Sequence, residues 1–297
     1  MTVDSKRVPI GVIGGSGLYD LEGLDILEER TIETPFGSPS APLRIGEIEG
    51  RRIAFIPRHG DAHQYHPSNV PYRANIWALK SLGVFWLISV SAVGSLKEEI
   101  VPGDLIVPDN IIDRTTRRPK TLYEELAVHV GLTYPFHPML RDVFLEHLNR
   151  LDDVTVHDGG TYVCMDGPAF STRAESELHR SWGASVIGMT AMPEARFARE
   201  AEMCYATIGM PTDYDVWKDD EDEVAVDGVL QILRQNISNV RRALQDIIPA
   251  IPLQLEEECD ASRALENAIM TDPEAISEKT RDDLGIFLND YLDEPPE

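Results

Sequence analysis

The chain has 297 residues, 42% of them hydrophobic, which is enough to bury one large core or two modest ones. Its 51 acidic against 27 basic side chains give a net charge of −24, which argues against nucleic acid and leaves any anionic substrate in need of a local positive pocket. No run approaches the roughly 18 apolar residues of a membrane span. The start, Met1 to Arg7, is polar with no apolar signal segment behind it, so a cytoplasmic protein without membrane partners is expected. Cys164, Cys204 and Cys259 show neither close pairing nor metal-type spacing and fit a reducing compartment.

In chain order, Val8 to Ile13 is a short β-branched run that stops at Gly14-Gly15-Ser16-Gly17. Strand followed by glycine turn suits an anion held by freed backbone N–H groups, with Ser16 adding a hydroxyl; a plain tight turn reads equally well. A dinucleotide site would need a third glycine where Asp20 stands, which counts against a nicotinamide-dependent dehydrogenase, and no Walker lysine follows. Leu43–Ile48 and Arg52–Ile56 flank Glu49-Gly50 as a β-hairpin. It delivers Arg58, His59, His63 and His66 into a loop, where Arg58 could hold phosphate and His59 could donate to it. The histidines lack a carboxylate or cysteine to complete a zinc motif, so no metal is expected.

A helix over Asn75–Leu82 leads to a buried strand, Val84–Val90, and then to a small-residue loop, Ser91–Ser95. Short strands follow at 104–108 and 110–113, a polar, basic loop at 115–120, a helix at 139–149 and a strand at 161–165. Thr172–Trp182 reads as a helix capped by Ser171 or Thr172 with Glu175 in its first turn. Strand 185–190, helix 193–201 and strand 204–210 continue the alternation, which defines an α/β fold. A long helix lies within 223–248, and Pro249 and Pro252 mark a boundary. Residues 1–252 thus form one domain and 253–297 an acidic, partly helical extension that looks a poor place for chemistry. That extension carries fourteen acidic against three basic side chains, net −11 of the −24.

Between the last strand and the long helix, Asp213 and Asp215 stand two apart in Pro211-Thr212-Asp213-Tyr214-Asp215-Val216-Trp217. In an extended segment they share a face and converge on one polar ligand, and like charges so close make one a proton carrier near neutral pH. Spacing alone reads as well as a solvated, Asp-rich turn.

Taken in order, these loops match one pattern. Gly14-Gly15-Ser16-Gly17, Pro57-Arg58-His59-Gly60, Ser91-Ala92-Val93-Gly94-Ser95, Gly167-Pro168-Ala169-Phe170, Gly188-Met189-Thr190-Ala191-Met192-Pro193-Glu194 and Thr212 to Trp217 resemble the purine nucleoside phosphorylase and methylthioadenosine phosphorylase family over roughly Val8 to Ile251. The resemblance implies a nucleoside phosphorylase fold, a twisted mixed sheet flanked by helices. It implies phosphorolysis, in which phosphate attacks the anomeric carbon of a nucleoside and releases the base, with no metal or organic cofactor.

Carried over by residue, the resemblance implies a phosphate site of Ser16, Arg58, His59, Ser91, Ala92 and Thr190. Met189 would lie against the ribose and Phe170 on the base. Asp213 would share or donate a proton at purine N7, and Asp215 would accept from the exocyclic amino group. Val226, Val229 and Leu230 would form an apolar pocket for a 5′-methylthio group. His63 would line the pocket and His129 would reach a neighbour's site in a homotrimer. These residues favour 5′-methylthioadenosine; a purine nucleoside phosphorylase acting on methylthioinosine, inosine or guanosine is the alternative. The pattern departs at Gly188, where many adenine-specific members have Asn, and more mildly at Ala169 and Ser91.

Overall fold

The computed structural model describes residues 7–15, 18, 21, 23–218 and 226–292. Strand β1 (Ile10–Gly14) is buried along its whole length, as a strand covered on both faces must be. It is followed by β2 (Asp25–Arg30) and by the hairpin of β3 (Leu43–Ile48) and β4 (Arg51–Pro57). The expected hairpin turn is present, with Glu49 and Gly50 both at positive φ (47° and 76°), the backbone that matches a twisted two-residue connection. Helix α1 (Tyr72–Ser81) leads to β5 (Trp86–Ser95), β6 (Leu105–Val107) and β7 (Asn110–Asp113). Then come α2 (Pro138–Leu148), β8 (Val156–Asp158) and β9 (Thr161–Cys164). They are followed by α3 (Arg173–Ser181), β10 (Val186–Gly188) and α4 (Ala191–Glu200). Finally β11 (Cys204–Asp213), α5 (Val226–Ala250) and α6 (Glu278–Leu292) complete the chain. Thr172 caps α3 in a reciprocal box with Glu175, as its sequence foretells.

The strands form one mixed sheet in the order β2-β3-β4-β1-β5-β10-β9-β7, with β11 on β5 and β6, and β6 on β8. Two strands overrun their sequence limits. Ser91–Ser95 is the second half of β5 rather than a loop, because β11 pairs along one edge as far as Gly94 and β10 takes Gly94 and Ser95 on the edge that β1 leaves at Ser89. Likewise Pro211–Asp213 continues β11. β2 is unforeseen because its six residues are mostly charged and exposed, supported by backbone pairing to β3 rather than by an apolar face.

The segment after Pro252 forms short 3-10 turns and α6, and it is part of the main core. Leu265, Leu284, Phe287 and Leu288 are buried in the same apolar cluster as Ile10, Trp86 and Ile208. Trp77 of α1 donates its indole N–H to the Asp283 carbonyl at 3.1 Å, and Tyr123 packs edge-on to Phe287. Leu288→Ala is therefore expected to cost about 2–5 kcal/mol of stability. Urea denaturation showing no loss would mean that the extension merely rests on the surface.

Candidate active site

A cleft opens where β5 changes neighbours. β1 pairs with β5 up to Ser89, and β10 joins it only at Gly94. Between these pairings, Ser91 and Ala92 face the ends of β1 and β10, so the site lies where the sheet divides, a common ligand position in α/β proteins. The resulting cavity has a volume of about 380 Å³, ample for a nucleoside-sized ligand.

Its floor is set by Arg58, which is buried at the end of β4. Arg58 Nε and Nη2 donate to Glu194 at 2.8 and 3.0 Å, Nη1 to the Val90 carbonyl at 3.0 Å, and Nη2 to Ser89 Oγ at 2.8 Å. Burial opposes the charge, but Glu194 outweighs it and holds Arg58 more firmly protonated than usual. Glu194 also accepts from Ser89 Oγ at 2.9 Å and Tyr205 Oη at 3.0 Å. Sequence reading placed Glu194 in a motif and missed its role.

His59 Nδ1 lies 2.8 Å from the Tyr65 carbonyl and, facing an acceptor, must donate. Burial, with help from Arg58, pushes His59 down to about 4. With Nδ1 donating to Tyr65, a neutral ring keeps Nε2 as an acceptor, whereas the sequence reading expected His59 to donate. His63 stacks on it at 4.6 Å.

Ser91 Oγ and Thr190 Oγ1 are buried beside the Tyr162 hydroxyl, and neither makes a hydrogen bond of ordinary geometry among the described residues. Thr190 occupies the N-cap position of α4 without capping it, so its hydroxyl is not committed to the helix. Both line the cavity with Ala92, beside Arg58 and His59. Ser16 lies outside the described residues; its neighbours Gly15 and Leu18 line the same end.

Met189 and Phe170 line the middle and the mouth, Phe170 79% exposed. Gly167, at φ 62°, lets Met189 pack close: a Cβ there would meet Met189 Cε at 3.3 Å. The loop carrying Phe170 is fastened by Arg118, unremarked in the sequence, whose buried guanidinium donates to the Asp166 carbonyl at 2.8 Å.

Asp213 and Asp215 both line the far end. Their convergence comes from a turn, not from strand periodicity: β11 ends at Asp213, Asp215 has φ 52°, and its N–H donates to Asp213 Oδ1 at 2.8 Å. Thr212 Oγ1 donates to Asp213 Oδ2 at 2.7 Å. Asp215 Oδ2 is buried and finds no donor among the described residues. The turn is anchored rather than solvated, since Tyr214 and Trp217 are buried and Trp217 Nε1 donates to the Ser95 carbonyl at 2.8 Å. Gly94 leaves room for it, because a Cβ there would stand 3.0 Å from Asp213 Oδ1.

Of the residues expected along α5, Leu230 meets a different arrangement. Leu230 is 41% exposed and does not line the cavity; Leu233 and Ile237 of the same helix do. At 3.6 residues per turn, Leu233 lies nearly one turn and Ile237 two turns beyond Leu230 on that helix. The side chains of Val226 and Val229 lie outside the described residues. His129 is exposed, outside the cavity lining, its N–H bonded to the Ala268 carbonyl at 2.9 Å.

Gly188 has a steric cause. A Cβ on it would lie 2.6 Å from Tyr162 Cζ, closer still to the hydroxyl, and 3.2 Å from Val93 Cγ1. Tyr162 thus fills the volume that an asparagine side chain would need. Burial pushes its hydroxyl up to about 12, with Ser91 and Thr190 beside it pulling the other way.

The chain belongs to the phosphorylase superfamily, whose family model matches residues 9–249. The S-methyl-5′-thioadenosine phosphorylase of Prochlorococcus marinus is 46% identical over 289 residues, 96% of this chain and 92% of that protein. That of Thermofilum pendens is 49% identical over 266 residues, 89% of this chain and all of that protein (100%). A methylthioadenosine phosphorylase from an antarctic soil metagenomic library superposes with a TM-score of 0.89 at 42% identity, covering 95% of this chain and 99% of that one. The Schistosoma mansoni methylthioadenosine phosphorylase in complex with adenine gives 0.82 at 34% identity, over 89% and 99%.

Gly188→Ala is expected to cost about 1–3 kcal/mol by overpacking, less when Tyr162→Ala is already present; equal costs in both backgrounds would refute the packing account. A second expectation concerns pH. Because the folded His59 sits at about 4 against an ordinary 6.5, its neutral form contributes stability that is complete above 6.5 and lost as pH falls toward 4. Denaturation midpoints should fall more steeply across that window in the wild type than in His59→Gln.

Proposed function

We propose that the chain catalyses phosphorolysis of 5′-methylthioadenosine to adenine and 5-methylthioribose-1-phosphate, a pentosyl transfer. Phosphate oxygen forms the bond to C1′ as the C1′–N9 bond breaks, and the electron pair departs on the purine. The phosphate is co-substrate, and we assign no metal or organic cofactor to the reaction. Ser91, Thr190 and the Ala92 backbone hold it with Ser16, while His59 fixes its protonated oxygen and Arg58, paired with Glu194, forms the floor beneath it. Orientation of this kind accounts for much of the rate of a two-substrate displacement.

Met189 and Phe170 position the sugar and base. Asp213 shares the proton at N7, so negative charge does not build up on the leaving purine. Leu233 and Ile237, with Val226 and Val229 from the same helix, receive the methylthio group. The methylthioadenosine phosphorylases at 42–49% identity support the same substrate.

The observation that carries the adenine reading is the buried Oδ2 of Asp215, which has no partner among the described residues. It needs a donor, which a 6-amino group supplies and a 6-oxo group does not; the latter would set acceptor against acceptor in a buried site. We further infer a cytoplasmic homotrimer, with the exposed His129 completing a neighbour's site, serving purine and methionine salvage.

The test is incubation with phosphate and, separately, methylthioadenosine, adenosine, methylthioinosine and inosine, followed by identification of the released base. Adenine from methylthioadenosine is expected to dominate; dominant hypoxanthine would sink the reading. Asp213→Ala should lower turnover by at least 100-fold, about the smallest contribution of a positioned proton donor. Thr190→Val should raise the phosphate KM while leaving that for the nucleoside nearly unchanged. It is a cleaner probe than Arg58→Ala, which would leave Glu194 buried without its counter-charge.

A further inference from the structure

At the opposite end of β11 from Asp213, a second set of side chains converges that the phosphorolysis does not use. Cys204 opens the strand, His137 stands at the N-cap of α2, and Cys259 separates two 3-10 turns of the C-terminal extension. All three are buried, and the two sulfurs and one imidazole nitrogen lie within 4.8 Å of one another. His137 Nε2 is 3.1 Å from Cys259 Sγ and 2.6 Å from Asp260 Oδ1. Asp260 is exposed and so forms the open side of the cluster.

We propose that Cys204, Cys259, His137 and Asp260 form a structural site for a thiophilic divalent cation of the zinc class. Two thiolates, one imidazole and one carboxylate are a complete tetrahedral donor set for that ion. Its ligand atoms stand roughly 3.3–3.8 Å apart around bonds of about 2.0–2.3 Å. The two sulfurs and Nε2, all within 4.8 Å of one another, thus need only small shifts, and the Asp260 carboxylate must move off Nε2 to take the fourth position. The thiols release their protons to solvent as the metal binds, and His137 carries its proton on Nδ1.

Charge balance supports the assignment. A dication with two thiolates and a carboxylate leaves one negative charge, which Arg199 offsets from 3.5 Å away on Asp260. A disulfide between Cys204 and Cys259 would use two of the four donors and leave the His137–Asp260 pair beside it. The cation would clamp the extension to the root of the strand whose tip carries Asp213, about 30 Å away by the rise of an extended strand.

The test uses the full chain, reduced and kept anaerobic, titrated with cobalt(II) alone. One equivalent should give the near-ultraviolet thiolate-to-cobalt band and the intense visible bands of tetrahedral cobalt, and zinc should bleach both. Cys259→Ser and His137→Gln should each lose the stoichiometric signal while still releasing base from nucleoside, which verifies that they fold. Added zinc should raise the melting temperature of the wild type and not of Cys259→Ser. Absence of a thiolate-to-cobalt band, its persistence in Cys259→Ser, or a Cys204–Cys259 disulfide in the anaerobic protein would each overturn the proposal.

Discussion

The pairing of Arg58 with Glu194 is the constraint on which the site rests. It joins the end of β4 to α4, with Ser89 of β5, Tyr205 of β11 and the Val90 carbonyl bound into the same network. Removing either partner would leave an uncompensated buried charge, which is among the costlier defects a core can carry. The pair also decides the electrostatics above it. Glu194 neutralises the guanidinium, so the phosphate end is not the simple positive pocket that a chain of net charge −24 would lead one to seek. On the proposed function, anion binding there falls largely to hydroxyls and backbone dipoles, which are oriented by the fold and cost no reorganisation when the charge arrives.

Much of this was legible in the residues. The alternation of apolar runs with amphipathic segments fixed the α/β class, and the Thr172 capping box and the Glu49-Gly50 turn declared themselves locally. Arg58, His59, Ser91 and Thr190, expected at phosphate, and Asp213 and Asp215, expected at the base, all line one cavity. What stayed hidden depends on distance in sequence. Glu194 has no marker beyond its motif, because a partner far along the chain gives it meaning. The tautomer of His59 depends on the Tyr65 carbonyl, and the pocket-lining face of α5 depends on how that helix docks. Small residues in Ser91–Ser95 suggested a loop, yet two changing strand partners keep them extended.

The C-terminal extension shows the same limit. Its acidic composition describes only its outer side, while Leu265, Phe287 and Leu288 close the core from within. Cysteines that look unrelated in sequence meet across it, because Cys204 and Cys259 are adjacent only after the extension has folded back over the root of β11.

The contact between Tyr162 and Gly188 bears on how this site could diverge. A side chain at 188 has no room until the ring at 162 is reduced, so the two positions cannot change in either order with equal ease. A lineage that trimmed the tyrosine first would pass through a loosely packed but foldable protein, whereas one that replaced the glycine first would meet a clash behind Ser91 and Thr190. The route between a Gly188 site and an Asn-bearing one is thus directional.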